Sequence, residues 1–171
     1  MEISIKKYTD EDLMRRACEM TMHGKKSNMT LEKIYKCEHS PMRTQMFWVE
    51  MLDIPTFAST HFRTHSQGIT HFVKSNREDL PGHTGDAGRW QPVNHGMWLN
   101  AQSLVNLARR RLCYKAHHEV RKIMEEIVNN MYLLDPALAE HMVPECEYRN
   151  GCHELRPCGH FESLKINYTN P

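Results

Sequence analysis

The sequence predicts an α+β domain in which a small mixed sheet packs with a long central helix. Three observations carry this. β-prone runs around Ile3 and Ile5, from Met46 to Ile54 and from Ile69 to Val73 are interleaved with stretches of helical periodicity. An apolar stripe through Val105, Ala108, Leu112, Ala116, Val120, Ile123, Ile127 and Met131 predicts one long helix from Ala101 to Met131. With 171 residues the chain has room for one core and not for two lobes, so residues 1–171 read as a single domain.

The elements follow in order. Ile3 and Ile5 alternate with polar residues as a short strand does. Thr9-Asp10-Glu11 supplies a helix start, and Leu13, Met14, Cys18 and Met22 follow at helical spacing. A second helix begins at Thr30 and runs towards Lys36, and His39-Ser40-Pro41 ends it, because proline pushes the preceding residue out of the α region. After the strand from Met46, Pro55 suits the first turn of a helix reaching about His65. Ser75 to Pro92 reads as loop, being rich in glycine, proline and polar residues. Asp135-Pro136 stops the long helix, and a short one through Leu138 and His141 follows. Residues 1–143 then form the α/β core, and 144–171 a cysteine-rich irregular segment.

Composition excludes several classes. Apolar residues at 40% and charged ones at 25% exclude a disordered chain and a coiled coil throughout. Lys plus Arg number 22 against 21 for Asp plus Glu, so a net charge of +1 gives no nucleic-acid or membrane footprint. No apolar run reaches the roughly 18–20 residues that a bilayer requires. The opening MEISIKKYTDED lacks an apolar leader, so the expected compartment is the cytoplasm, where the six cysteines stay reduced.

Polar residues on the long helix are the first chemical candidates. Gln102, Asn106 and Arg109 fall within or beside the apolar stripe, and Glu119 lies near its other edge. Arg109, Arg110 and Arg111 fan over more than half of the circumference, so at least one faces a neighbour, either as an Arg–Glu119 pair closing the core or as a solvated patch. The segment His61-Phe62-Arg63-Thr64-His65-Ser66, followed by Ser75-Asn76-Arg77, combines arginines and hydroxyls suited to phosphate, though a surface helix end looks much the same. Cys146, Cys152, Cys158 and His160 are zinc-ligand types, but their spacing lacks the close Cys-x2–4-Cys knuckle, so packed thiols with no metal are the leading reading and a zinc-stabilised module is the alternative. No hydrolase elbow, Walker loop or dinucleotide glycine fingerprint is present.

Taken in order, these pieces resemble the flavin-dependent thymidylate synthases. His39-Ser40-Pro41 before a β-prone stretch is similar to the family's His-Ser/Thr-Pro segment. Phe62-Arg63-Thr64-His65-Ser66 with Ser75-Asn76-Arg77 resembles a diverged Arg-His-Arg-x-x-Ser-x-Asn-Glu-x-Ser-x-Arg signature. Asn100, Asn106 and the run Arg111-Leu112-Cys113-Tyr114-Lys115-Ala116-His117-His118-Glu119-Val120-Arg121 resemble its long helix, which reads Arg-x-Cys-x-x-Ala-Gln-Trp-Glu-Ile-Arg. Pro144-x-Cys146, Gly151-Cys152-His153-Glu154 and Cys158-Gly159 resemble its closing segment. Several positions depart: the Arg-His-Arg triplet is broken, Arg43 stands where an acid is usual, Gln102 where an arginine is frequent, and His117-His118 replace Gln-Trp. Only eleven residues separate Arg77 from Arg89, where members of the family have several dozen.

The resemblance implies the thymidylate-synthase-complementing fold and a homotetramer with active sites shared between subunits. It implies methylation of dUMP to dTMP with FAD, NADPH and methylene-tetrahydrofolate, and no covalent nucleophile. Arg63 and Arg111 would be the catalytic arginines; Arg63, Ser75, Arg77, Arg89 and Arg111 would bind the nucleotide, and Ser40, His65, Asn100 and Asn106 the flavin. Two alternatives stay open: hydroxymethylation of a pyrimidine nucleotide without the hydride step, and a nucleotide-binding or interaction protein that kept the fold and lost catalysis.

Overall fold

The computed structural model describes residues 1–64, 67–75, 77–81, 85 and 88–169, with side chains as far as Leu164. Four strands form one sheet: β1 (Glu2–Lys7), β2 (Met46–Pro55), β3 (Ile69–Val73) and β4 (Pro92–Asn100), in the order β1-β2-β4-β3. Every pairing is antiparallel, so the sheet is not mixed. Alternation sorts its faces. Phe47, Val49 and Met51 of β2 and Met97 and Leu99 of β4 are fully buried, while Trp48 and Trp98, which pair across the two strands, lie half-buried on the other face.

Helices cover the inner face. α1 (Glu11–Thr21) starts at Asp10, whose side chain accepts from Leu13 N, and it buries Met14 and Cys18. α2 (Leu31–Lys36) starts at Thr30 and buries Ile34 and Tyr35, and a 3-10 turn, Ser40–Thr44, follows it. α3 is Thr56–Arg63. Val120, Ile123, Met124, Ile127 and Met131 of α5 (His118–Leu134) are buried in the core. Full burial of such side chains contributes roughly 1.5–3 kcal/mol each. Asp135 caps α6 (Pro136–Ala139) and ties it to β1 and α2, accepting from Lys7 Nζ at 2.7 Å and Tyr35 OH at 2.9 Å.

Two further sequence expectations need correction, and one strand went unpredicted. The long helix is two: α4 (Ala101–Arg111) ends at Leu112, and a turn closed by Ala116 N–H on Cys113 O leads to His117, which caps α5. Both helices bury a face in the same core, so the apolar spacing runs on across a break that no Gly or Pro marks, and Ala116 is only half-buried. β4 carries no strand signal because its core face includes His95, fully buried, and its outer face includes Gly96, over which the Trp48 ring lies. The C-terminal segment is not irregular throughout: α7 (Glu145–Tyr148) follows Pro144, and α8 (His160–Thr169) has no apolar stripe to announce it.

Candidate functional site

The end of α3 and the last turn of α4 meet at Arg111. Its side chain is 7% exposed, and its guanidinium donates to His61 O and, at 2.6 Å, to Thr64 Oγ1. Its Nε–H is buried and has no partner among the described residues. Burial and the neighbouring Arg110 both disfavour its charge. A buried cation with an unused donor is costly unless an anion or acceptor meets it.

An aromatic wing extends from this point. The Phe57 ring meets Trp90 edge-on at 4.8 Å and His117 at 4.6 Å, and the Arg89 guanidinium lies 4.8 Å from its centroid. Arg89 is held there because its carbonyl accepts from Phe57 N–H. Burial, then Arg111, His117 and Arg89, depress the pKa of His61. Arg111, Arg89 and His117 thus gather with His61 around the Phe57 and Trp90 rings, and all three disfavour charge on His61.

A polar wing lies along α4. A cleft of about 600 Å³ is lined by Thr64, Gln67, Ser103, Asn106, Arg110 and Tyr148, among others. The turn before β3 approaches α4 closely here. Gly68 has φ +72, a Cβ on it would lie 2.5 Å from Ser103 Oγ, and Ser103 donates to Gln67 O. Arg109 forms one wall, its guanidinium 3.4 Å above the Tyr148 ring and paired with Glu38. Burial raises the pKa of Glu38, but bonds from Arg109, Gln102 and Tyr148 outweigh it and hold the carboxyl below its ordinary value. The Arg–Glu119 pair therefore does not form: Glu38 is the partner of Arg109, and Glu119 pairs with His118.

The sequence-predicted residues separate into groups. Arg89 and Arg111 both act on His61, and Asn106 lines the cleft, accepting from Arg109 at 3.3 Å. Asn100 is spent on capping α4, accepting from Ser103 N at 2.9 Å. Ser40 opens the 3-10 turn, is exposed and does not line the cleft. Arg63 and Ser75 are exposed, and Arg77 is an exposed pair with Asp79 at 2.6 Å. His65 lies outside the described residues. Sequence reasoning missed Glu38, Ser103, Gln67 and Tyr148, which only tertiary packing brings together, and gave no role to His61 or His117.

Two further clusters lie outside these wings. Ser59 Oγ meets His95 Nδ1 at 3.1 Å, and His95 Nε2 meets His71 Nδ1 at 2.9 Å, the histidines sitting on neighbouring strands. Burial, then His71 and Arg63, push the pKa of His95 down to about 4. Cys113, Cys146, Cys152, Cys158, His153 and His160 line a cavity of about 180 Å³ beside α7. Among the described residues no three such groups converge to hold a metal ion.

No family model matches the chain, and no curated protein does. Solved structures do. A thymidylate synthase X from Helicobacter pylori, determined with FAD and dUMP, aligns over 84% of this chain and 100% of its own, with a TM-score of 0.68 and 15% identity. The fold is that of the flavin-dependent thymidylate synthases. A second structure of the H. pylori thymidylate synthase X with FAD and dUMP gives a TM-score of 0.64 at 16% identity, covering 81% of this chain and 99% of that one. A UMP/dUMP methylase from Streptomyces cacaoi, bound with 5-Br dUMP, gives 0.59 at 13%, covering 82% and 94%. The flavin-dependent thymidylate synthase resemblance read from the sequence is thus borne out as a likeness of fold. Among the described residues no helix is long and apolar enough to cross a membrane.

Proposed function

We propose that the chain is a one-carbon transferase acting at C5 of a pyrimidine deoxynucleotide, in its plain form the methylation of dUMP to dTMP. The observation that carries this reading is the buried Arg111, pinned to the end of α3 beside Arg89 and the Phe57–Trp90–His117 rings. Guanidiniums fixed in place suit a dianionic phosphate or a uracil carbonyl, and flat rings suit a base. Arg63, Ser75 and Arg77 are exposed, and we read them, as the resemblance implies, as serving a neighbouring subunit's site in a homotetramer. That no side chain acts as covalent nucleophile carries over from the resemblance.

The polar wing fits FAD by its chemistry. Hydroxyl and amide groups of Ser103, Gln67 and Asn106, with Arg110, offer partners for phosphates and ring edges. A cleft of this volume is ordinary for a cofactor, which bury in spaces of roughly 300–1,000 Å³. Bound there, a flavin would supply the hydride that completes a methyl group, with NADPH as reductant and methylene-tetrahydrofolate as one-carbon donor. Because Gln102 and Arg109 already occupy Asn106 Oδ1, hydroxymethylation without the hydride step is the second reading.

Purified protein incubated with dUMP, methylene-tetrahydrofolate and NADPH tests this. Formation of dTMP by a preparation carrying flavin absorbance supports methylation, and 5-hydroxymethyl-dUMP from a colourless one supports the second reading. Binding of dUMP without turnover defeats both and leaves a nucleotide-binding protein. The cytoplasm is the compartment proposed, with no nucleic-acid partner.

A further inference from the structure

Building on the nucleotide reading above, we propose that His117 is a specificity-determining residue that makes this site take a uracil nucleotide and refuse a cytosine one. His117 caps α5, its Nδ1 accepting from Glu119 N–H at 3.3 Å. A backbone N–H can only donate, so Nδ1 carries no proton while the cap holds, and the ring's proton sits on Nε2. The ring is held between neighbours, edge-on to Phe57 at 4.6 Å, stacked on His118 at 4.6 Å and 6.2 Å from Trp90. Its Nε2–H is therefore a donor of fixed tautomer, and no hydrogen-bond acceptor meets it among the described residues. The resembled helix motif has Gln at this position, and an amide can turn either end to a ligand. A capped imidazole cannot.

The other groups of the wing point the same way. His61 O already accepts from Arg111 and from Thr64 Oγ1–H, and Thr64 Oγ1 accepts from Arg111, so these acceptors are in use. Among the described residues, what remains within reach of a ligand beside the His61 ring is donors, the exposed Arg89 guanidinium and His117 Nε2–H. Uracil presents carbonyl oxygens at both C2 and C4. Cytosine carries an amino group at C4, itself a donor, and donor facing donor leaves both unpaired in a partly desolvated site. The His61 ring stands in the same wing beside Phe57, and an imidazole nitrogen can accept from N3–H of uracil but finds no proton on the bare N3 of cytosine.

Calorimetric binding of dUMP and dCMP to the full-length protein tests this. The intact protein should bind dUMP at least about tenfold more tightly than dCMP, as a site built on hydrogen bonds discriminates against a mispaired analogue. His117→Asn keeps an acceptor for Glu119 N–H while removing the imidazole Nε2–H donor beside Phe57. It should weaken dUMP binding about tenfold and bring the two nucleotides within about threefold of each other. His117→Phe keeps the ring packing but gives up both donor and cap, whereas His117→Asn keeps the cap, so a ratio that collapses in both variants traces to the lost donor and not to a loosened α5. Equal binding of both nucleotides by the intact protein, or an undiminished ratio in the variants, overturns this inference and leaves the nucleotide reading standing. A protein that binds neither overturns both.

Discussion

Lowering the pH should destabilise the fold through His95, and the size of the effect follows from its surroundings. His95 is fully buried, hydrogen-bonded to Ser59 and His71, and its pKa lies at about 4 against the ordinary 6.5. In the unfolded chain the ring binds a proton below about 6.5, while in the fold it does so only near 4. Stability is therefore whole above pH 6.5 and lost as the pH falls towards 4, the unfolded state binding more protons throughout that window. The linkage relation puts the loss at about 2 kcal/mol by pH 5 and about 3 kcal/mol once both states are protonated. His71, also depressed, adds to the loss in the same direction. Urea unfolding at pH 7.5 and pH 5.0 measures it, with His95→Phe as the control that cannot titrate. The variant should be less stable at pH 7.5, having lost two hydrogen bonds, but its drop between the two pH values should be smaller by about 2 kcal/mol. An equal drop in both proteins would refute the assignment of the cost to this imidazole.

Three other perturbations follow. Arg111→Ala should weaken dUMP binding by about 1.5–3 kcal/mol, the range for a hydrogen bond to a charged group, and a change below about 0.5 kcal/mol by calorimetry would make Arg111 purely structural. Gly68→Ala should cost about 1–3 kcal/mol, because a Cβ at φ +72 is strained and would sit 2.5 Å from Ser103 Oγ; adding Ser103→Ala should recover part of this in chemical denaturation. Glu38→Gln should lower stability by about 2–3 kcal/mol, below the full cost of breaking a buried pair because Glu38 is partly exposed, and an unchanged melting temperature would mean solvent already screens Arg109.

Local rules reached some elements and not others. The Asp10 and Thr30 caps, the strand from Met46 and the helix after Pro55 were legible because each is announced by residues adjacent in sequence. β4 was not, since a core-facing His95 is tolerated only through partners on α3 and β3 that its own segment does not reveal. The break after Leu112 was hidden because an apolar spacing of three and four measures burial, not continuity of the backbone. At the candidate site, Arg109 was visible as a charge on an apolar face, but its partner Glu38 lies 71 positions away, held by a left-handed backbone at φ +48 that no residue pattern marks. His61 and His117 stood in the quoted segments, and only the fold brings them to the same ring.

Among the described residues from Pro144 onward, Phe161 alone is buried. The segment is fastened instead by polar clasps: Arg109 on Tyr148, His160 stacked on Tyr114 at 3.7 Å, and Lys115 on Glu154 at 3.2 Å. The charged attachments among these weaken in salt, whereas the His160–Tyr114 stack and the apolar interior do not. Raised ionic strength should thus peel away the carboxy-terminal flap while the rest of the molecule stays folded, and Tyr148 would leave with it. Whatever settles into the groove along α4 must then hold that flap down, so occupancy and C-terminal order rise and fall as one equilibrium.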